Sequence, residues 1–276
     1  MVKPEQKKEI VREFKHKGIS ERSSCTLVGL SRSGYRKPLQ KINDAEDLSM
    51  IKEMAEKFPR SGYEQLFQIY RNKEGRMNHK RFYRLYKQGG LALRRIKRRQ
   101  KINRERVPLN LPEKENQVWS MDFQFDSESS GRKIKFLNII DDCSKKCVWI
   151  EIDYSIGTLK LIRTLQNMVL INGKPEAIRT DNGPEFTSKD FILWAEENQI
   201  KHLLIQPGKP NQNAYIESFN SRLRYECLQA HIFKDLESTR EIVENWREFY
   251  NEVRPHQSLN GMSPNNFIKL NHEVVT

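Results

Sequence analysis

The spacing of the apolar residues changes near residue 112, and the change separates two parts of the chain. Before it, apolar residues recur every three or four positions, which is typical of amphipathic helices. After it, apolar and polar residues alternate over 118–126, which predicts a half-buried strand. Pro108 and Pro112 mark the boundary, so the sequence predicts at least two domains.

The charge divides at the same place. Residues 1–110 hold 29 Lys and Arg against 12 Asp and Glu, a net charge of +17, whereas residues 111–276 hold 20 against 24, a net charge of −4. Basic surfaces bind polyanions because binding releases counterions, so the first part indicates a nucleic-acid-binding front joined to a body with another role. The alternative is a basic surface that serves solubility alone.

The composition excludes a membrane protein. Of the 276 residues 31% are charged, the mean hydropathy is −0.79, and no stretch approaches the run of about 20 apolar residues that a membrane span needs. The first residues carry no apolar signal-peptide core, so we expect a cytoplasmic protein. The 4 cysteines are few for this length and are expected to be free thiols.

The sequence of the basic first part, residues 1–110, predicts two small helical units. Helices over 6–17 and 20–30, followed by a helix that begins after Ser31, form a helix-turn-helix-like segment within residues 1–42. Helices over 45–58, 64–73 and 78–87 form a second helix-turn-helix domain within residues 43–100, with Asn78 as the N-cap of its last helix. The basic residues on the outward side of that helix suit a DNA groove and its phosphates: Lys80, Arg81, Arg84 and Lys87. A solvated basic helix is the alternative.

A dense run of cations ends this second domain and leads into a basic linker over residues 101–112. We expect the run to follow the DNA backbone through Arg94, Arg95, Lys97, Arg98 and Arg99. Residues 113–276 are then expected to form the body, a core domain with a C-terminal helical extension.

The body predicts a mixed α/β sheet. Strands over 118–126, 135–140 and 147–153 follow each other at short spacing and indicate an antiparallel meander. A helix over 159–171, a strand over 177–181, a helix over 188–197 and a strand over 200–205 come next, and helices over 214–227 and 236–250 complete the series. Trp119 in the first strand is either a core residue or the border of a DNA channel.

Three carboxylates of the body are candidates for one site. Asp122 lies on the polar face of the first strand, and Asp181 ends the fourth strand, at the edge where open α/β sheets place their sites. Glu217 lies on the polar face of the helix over 214–227, with Arg224 two turns later. Oxygen ligands without thiolates or imidazoles describe a hard-cation site, and two such ions support phosphoryl transfer. Taken alone, each acid is as well explained as an ordinary surface residue.

The residues around these acids resemble the acidic triad motifs of DDE transposases and retroviral-type integrases. The motifs are Trp119-Ser120-Met121-Asp122-Phe123, Thr180-Asp181-Asn182-Gly183-Pro184-Glu185-Phe186 and Ile216-Glu217-Ser218-Phe219-Asn220. Between Asp181 and Glu217 lie 35 residues, the usual separation in this catalytic class. Together with the segments 206–214 and 250–259, they make the chain similar to the OrfB transposase of the bacterial insertion-sequence-three family.

The resemblance implies an α/β fold, an RNase H-like mixed five-stranded sheet with flanking helices, preceded by small all-helical helix-turn-helix units. It implies a DDE transposase that cuts and joins DNA with two Mg²⁺ or Mn²⁺ ions held by Asp122, Asp181 and Glu217. The freed 3′-hydroxyl would attack the target strand without a covalent protein intermediate. Arg224 and Lys209 would contact DNA, and Asn182 and Gly183 would shape the turn that presents Asp181.

The implied partners are the terminal inverted repeats of an insertion sequence and a target DNA, on which the chain would form a homo-oligomer. Family members are made by frameshifting from an upstream reading frame, so the OrfA product is a further implied partner and this chain would be the downstream product. Two other functions stay open: a DNA-binding regulator built on an inactive catalytic fold, and a plain RNase H-like nuclease.

The sequence leaves more than one role for each of two residues in the C-terminal segment. His256 is expected to pack or to cap the preceding helix rather than to act as a base. Arg254 is expected either to reach DNA or to cap that helix.

Overall fold

The computed structural model describes residues 4–36, 44–73, 75–93, 112–206 and 210–275, in two compact units of residues 1–51 and 52–276. Residues 101–111 of the predicted linker over 101–112 lie outside the described residues. So do several predicted DNA contacts: Arg94, Arg95, Lys97, Arg98, Arg99 and Lys209. Within the described ranges, no helix combines the length and the apolar composition that a membrane span requires.

The first unit consists of helices α1 (Pro4–His16), α2 (Glu21–Val28), α3 (Arg32–Arg36) and the first half of α4 (Asp44–Lys57). The Ser20 hydroxyl accepts the backbone N–H of Ser23 at the start of α2, and Gly29, with φ of 62°, ends it in the left-handed conformation. Val11 of α1 and Cys25 of α2 are buried, so these two helices share a small core.

The second unit begins with the end of α4 and continues into α5 (Tyr63–Asn72) and α6 (His79–Gln88). The predicted N-cap is confirmed, because the Asn78 side chain accepts the backbone N–H of Lys80 at 3.0 Å. The buried side chains that join these helices are Leu66, Ile69, Phe82 and Leu85. Arg81 is half-buried, not directed outward as predicted, because it lies one turn before the buried Leu85.

The body folds around a five-stranded sheet. Its strands are β1 (Val118–Ser127), β2 (Lys133–Asp141), β3 (Cys147–Asp153), β4 (Ala177–Thr180) and β5 (Lys201–Leu204), in the spatial order β3-β2-β1-β4-β5. The first three pair antiparallel, which confirms the predicted meander, while β4 pairs parallel to β1 and β5 pairs parallel to β4. The mixed five-stranded sheet that the resemblance implies is therefore confirmed.

Helices cover both faces of this sheet. Helices α7 (Thr158–Asn172) and α8 (Lys189–Glu197) close one hydrophobic layer, in which Trp119 is fully buried and its indole N–H donates to the Asn116 side chain at 2.9 Å. Helices α9 (Ala214–Glu226) and α10 (Leu236–Glu252) close the other. The predicted apolar stripe of α9 is buried in that second layer: Ile216, Phe219, Leu223 and Cys227. The sheet is thus a rigid support between two cores.

A final helix, α11 (Pro264–Val275), has no counterpart in the sequence prediction. It packs on α10 and follows a bridge between His256 and Met262. The four cysteines are free thiols, three of them buried and Cys143 half-buried.

Candidate active site

The register between β1 and β4 brings two of the predicted acids together. In this parallel pair Ser120 lies opposite Arg179, and two residues further along each chain come Asp122 and Asp181. Adjacent parallel strands lie about 4.8 Å apart, and residues in register point to the same face. The two aspartates are therefore neighbours at the carboxyl edge of the sheet, on the face that α9 covers.

Asp122 is half-buried, and its carboxylate is held at both oxygens. One oxygen accepts the backbone N–H of Phe123 at 2.8 Å, and the other accepts the side-chain amide of Asn220 at 2.7 Å. Burial raises the pKa of Asp122 to about 6, and the negative charges of Asp181 and Glu217 act in the same direction. The charges of both other acids therefore act on Asp122.

Asp181 is exposed and occupies the turn that follows β4. One of its carboxylate oxygens accepts the backbone N–H of Gly183 at 3.0 Å, and the side chain of Asn182 donates to the carbonyl of Ile205 at 3.0 Å. A β-carbon at position 183 would lie 3.0 Å from the Asp181 carboxylate and 3.4 Å from the Phe186 ring. A glycine therefore lets the turn close tightly on its own aspartate.

Glu217 lies on the exposed side of α9, one residue after the buried Ile216. Arg224, two turns later on the same helix, donates to the backbone carbonyl of Phe125 at 2.9 Å and so ties α9 to the end of β1. This contact fixes the helix that carries Glu217 relative to the strand that carries Asp122.

The donor chemistry of the site fits a hard divalent cation, although the acids are not gathered around one point. Within the described part of the chain, no three His, Cys, Asp or Glu side chains are arranged to hold a metal ion between them. Mg²⁺ is commonly bound by one or two carboxylates together with substrate phosphates, so the Asp122 and Asp181 pair is a sufficient protein contribution. Burial, and then the charges of Asp181 and Glu217, raise the pKa of Asp122, and a cation bound beside it would offset both effects.

The amide side chains that surround Asp122 were not predicted from the sequence. Gln124 on β1 and Asn138 on β2 are buried under α9, where they bond to each other and to Asn220. The alternation along β1 predicted a polar face, and it is this face that is buried. The one available signal was a polar residue directly across the strand pair, since Asn138 lies opposite Asp122.

The two open residues of the C-terminal segment are both buried. The side chain of Arg254 neither caps α10 nor faces outward, because its guanidinium forms a two-pronged pair with the carboxylate of Glu226 at 2.6 and 2.8 Å. His256 is 2% exposed and packs edge-on against the Tyr250 ring at 4.7 Å. Burial and the charges of Arg254 and Arg222 lower its pKa to about 3, so it is a neutral packing residue, as predicted.

The fold and this site define a class of protein. The sequence profile described as "Integrase core domain" matches residues 112–210, and a second profile with the same description matches residues 198–264. The matched segments contain both aspartates, Glu217 and the whole sheet.

Relatives from insertion elements extend the similarity to nearly the whole chain. The 31.7 kDa protein of insertion element IS407 from Burkholderia multivorans is 45% identical over 250 residues, which is 90% of each chain. The 39.2 kDa protein of insertion element IS476 from Xanthomonas euvesicatoria is 40% identical over 96% of this chain and 77% of its own. The chain therefore belongs to the insertion-element transposases that carry an integrase core domain.

More distant likenesses are to a transposase and to viral integrases. The transposase of insertion sequence element IS904 from Lactococcus lactis is 27% identical over 68% of this chain and 73% of its own. The catalytic core domain of the HTLV-2 integrase, solved with magnesium, is 17% identical, with a TM-score of 0.46, over 55% of this chain and 95% of that one.

Proposed function

We propose that this chain cleaves DNA at the ends of an insertion element and joins the freed 3′ ends to a target DNA. The observation that carries the proposal is the register of β1 and β4, which sets Asp122 beside Asp181 while α9 supplies Glu217 over the same face. The presence of all three acids favours an active enzyme over a regulator built on an inactive fold.

In this proposal Asp122, Asp181 and Glu217 hold Mg²⁺ or Mn²⁺, with two ions in the full site. Divalent cations bound there would stabilise the negative charge that develops on the phosphate and on its attacking and leaving oxygens. The chain's own task is to hold the ligands in place. The Phe123 N–H and the Asn220 amide orient the first carboxylate, and the Gly183 N–H orients the second.

Strand transfer is expected to require a divalent cation, and less cation should be needed to saturate the reaction as the pH rises. An oligonucleotide with a 3′-hydroxyl end is incubated with plasmid DNA, and joined product is measured with Mg²⁺ or Mn²⁺, with EDTA, and after the cation is restored. Because burial and neighbouring acids raise the pKa of Asp122 to about 6, protons compete with the cation below that value. The half-saturating cation concentration should therefore fall from roughly pH 5 to pH 7 and then level off.

The same assay separates the competing functions. A plain nuclease would nick the plasmid but attach no oligonucleotide, and a regulator would bind DNA but do neither. Joined product that forms equally well in EDTA would contradict the assignment of the three acids.

We further propose that α6, with the basic run after it and with Lys209, binds the DNA backbone. The side chains of Lys80, Arg84 and Lys87 are exposed on this helix. Changing all three to Ala should weaken binding to every DNA sequence and lower the slope of log K against log salt by about 2 to 3, because each phosphate contact contributes close to one unit. Lys189→Ala, an exposed lysine at the start of α8, is the matched control. An unchanged salt slope in the triple variant would exclude α6 from the interface.

Two element ends must meet one target in this reaction, so we propose that the chain assembles as a homo-oligomer on the terminal repeats and target DNA. The product of the upstream OrfA frame stays a predicted partner.

A further inference from the structure

A closed circuit of hydrogen bonds lies beside the carboxylate of Asp122 and contacts it through Asn220. Its members are the amide side chains of Gln124 on β1, Asn138 on β2 and Asn220 on α9. The Asn138 amide N–H donates to the Asn220 side-chain oxygen at 2.7 Å and to the Gln124 side-chain oxygen at 3.2 Å. The Gln124 amide N–H donates to the backbone carbonyl of Asn220 at 3.2 Å, and the Asn220 amide N–H donates to Asp122 at 2.7 Å.

Two groups that can only accept, the backbone carbonyl of Asn220 and the ionised carboxylate of Asp122, fix the direction of every bond in this circuit. A side-chain amide can rotate by half a turn and exchange its donor for its acceptor, but a backbone carbonyl only accepts. The carbonyl of Asn220 therefore requires the amide nitrogen of Gln124 to face it, which turns the Gln124 oxygen toward Asn138. The amide nitrogen of Asn138 must then face inward, and the oxygen of Asn220 meets it. The remaining group of the Asn220 side chain is its amide nitrogen, which donates to Asp122.

Asn138 is the member of the circuit that a purely structural requirement does not explain. It is fully buried on a central strand, directly opposite Asp122, and its own side-chain oxygen has no hydrogen-bond partner among the described residues. A buried acceptor without a partner is unfavourable. The asparagine therefore carries one unpaired oxygen while its amide nitrogen donates to both Gln124 and Asn220.

We propose that Asn138 is a positioning residue for the reaction, because it fixes the rotation of the Asn220 amide and thereby keeps a donor, never an acceptor, against Asp122. Without it, only the carboxylate itself selects the rotation of the Asn220 amide, and the amide loses the bond that holds its oxygen in place. The proposal rests on the proposed function, since it concerns how the first acid of that site is held.

A double-mutant cycle in the full-length chain tests this. Loss of a partner that orients a metal ligand typically lowers activity or metal affinity roughly 10- to 100-fold, so Asn220→Ala should fall in about this range and Asn138→Leu should lower strand transfer by about tenfold. Because Asn138 acts through Asn220, adding Asn138→Leu to Asn220→Ala should cause little further loss, whereas independent effects would multiply. Gln124→Met, which breaks the circuit at its other end, should behave in the same way.

Two further measurements separate positioning from folding. Titration of Mn²⁺ into the DNA-free protein should show about a tenfold weaker affinity in Asn138→Leu. Its thermal midpoint should fall as well, because Gln124 and Asn220 each lose a hydrogen-bond donor. Asn251→Leu is the matched control, because Asn251 is a buried amide that bonds both backbone groups of Cys147 at 2.9 Å and lies outside the circuit. It should lower the thermal midpoint and leave the rate of the folded protein unchanged.

The outcomes are distinct. Parental activity in Asn138→Leu, or a double variant whose loss is the product of the two single losses, overturns the role of Asn138. If Asn138→Leu does not fold, the same reading is taken from Gln124→Met alone and combined with Asn220→Ala. A parent chain that joins no DNA overturns the proposed function itself. That result differs from a failure of the role of Asn138, which requires an active parent.

Discussion

Replacing Asp181 with asparagine is expected to lower strand transfer by about a thousandfold or more while leaving the fold and DNA binding intact. The loss of a ligand that helps to stabilise transition-state charge is worth several kcal/mol, and each ~1.36 kcal/mol is a factor of ten in rate. The change is structurally conservative, because the oxygen of the new side-chain amide can still accept the backbone N–H of Gly183 that the Asp181 carboxylate accepts now. The substitution removes the negative charge and exchanges one acceptor oxygen for an amide donor.

The matched control is Asp190→Asn, an exposed aspartate in the first turn of α8 that lies outside the site. It should cost no more than a few tenths of a kcal/mol of stability through the helix dipole and leave strand transfer unchanged. Joined product is measured for the parent and both variants at equal DNA occupancy. Equal rates in the parent and Asp181→Asn would remove this residue from the catalytic set.

The second large effect is on stability. Arg254→Met is expected to destabilise the second unit by about 3 to 5 kcal/mol, because it leaves the Glu226 carboxylate buried without its cation. The side chains of Arg254 and Glu226 are 8% and 11% exposed, so water replaces little of the lost interaction. For a unit of this size, the loss corresponds to a fall in the thermal midpoint of about 6 to 20 °C.

The double variant Arg254→Met with Glu226→Leu distinguishes a pair interaction from the loss of a packed side chain. Replacing a buried ion pair by apolar residues of similar volume is often neutral or stabilising, so the double variant should recover most of the lost stability. Thermal unfolding of the parent, Arg254→Met and the double variant measures this. A double variant that is no more stable than Arg254→Met would mean that the arginine acts through its other contacts, such as the Pro255 carbonyl.

Much of the fold could be predicted because its elements carry local signals. The strand over 147–153 was predicted with the bounds that the structure shows, since apolar side chains alternate along it. The α9 stripe was equally visible in the sequence. Helix α11 was not predicted, although Ser263 and Pro264 form a recognisable start signal, because its amphipathic pattern is weakened by polar residues such as Asn265 and Asn266.

The three acids of the candidate site were named from the sequence, but the side chains around Asp122 were not. Motif resemblance pointed to Asp122, Asp181 and Glu217, but the register that pairs the two aspartates depends on strand order, which no local pattern encodes. Burial of both faces of β1 was hidden for a similar reason. On its polar face, Asp122 accepts a hydrogen bond from Asn220, which lies 98 residues further along the chain. A contact between residues so far apart in sequence leaves no local pattern.

The parallel pairing of β1 with β4 also sets the order in which the protein can become competent. The antiparallel strands β1 to β3 are joined by short turns, whereas Asp122 and Asp181 meet only after the chain has closed a loop of 59 residues (181 − 122). Helix α9 then adds both Glu217 and the Asn220 donor. A chain that has been synthesised only as far as β5 therefore has every strand of the sheet but lacks α9. The proposed site is completed only late in synthesis, and the capacity to cut DNA should appear only then.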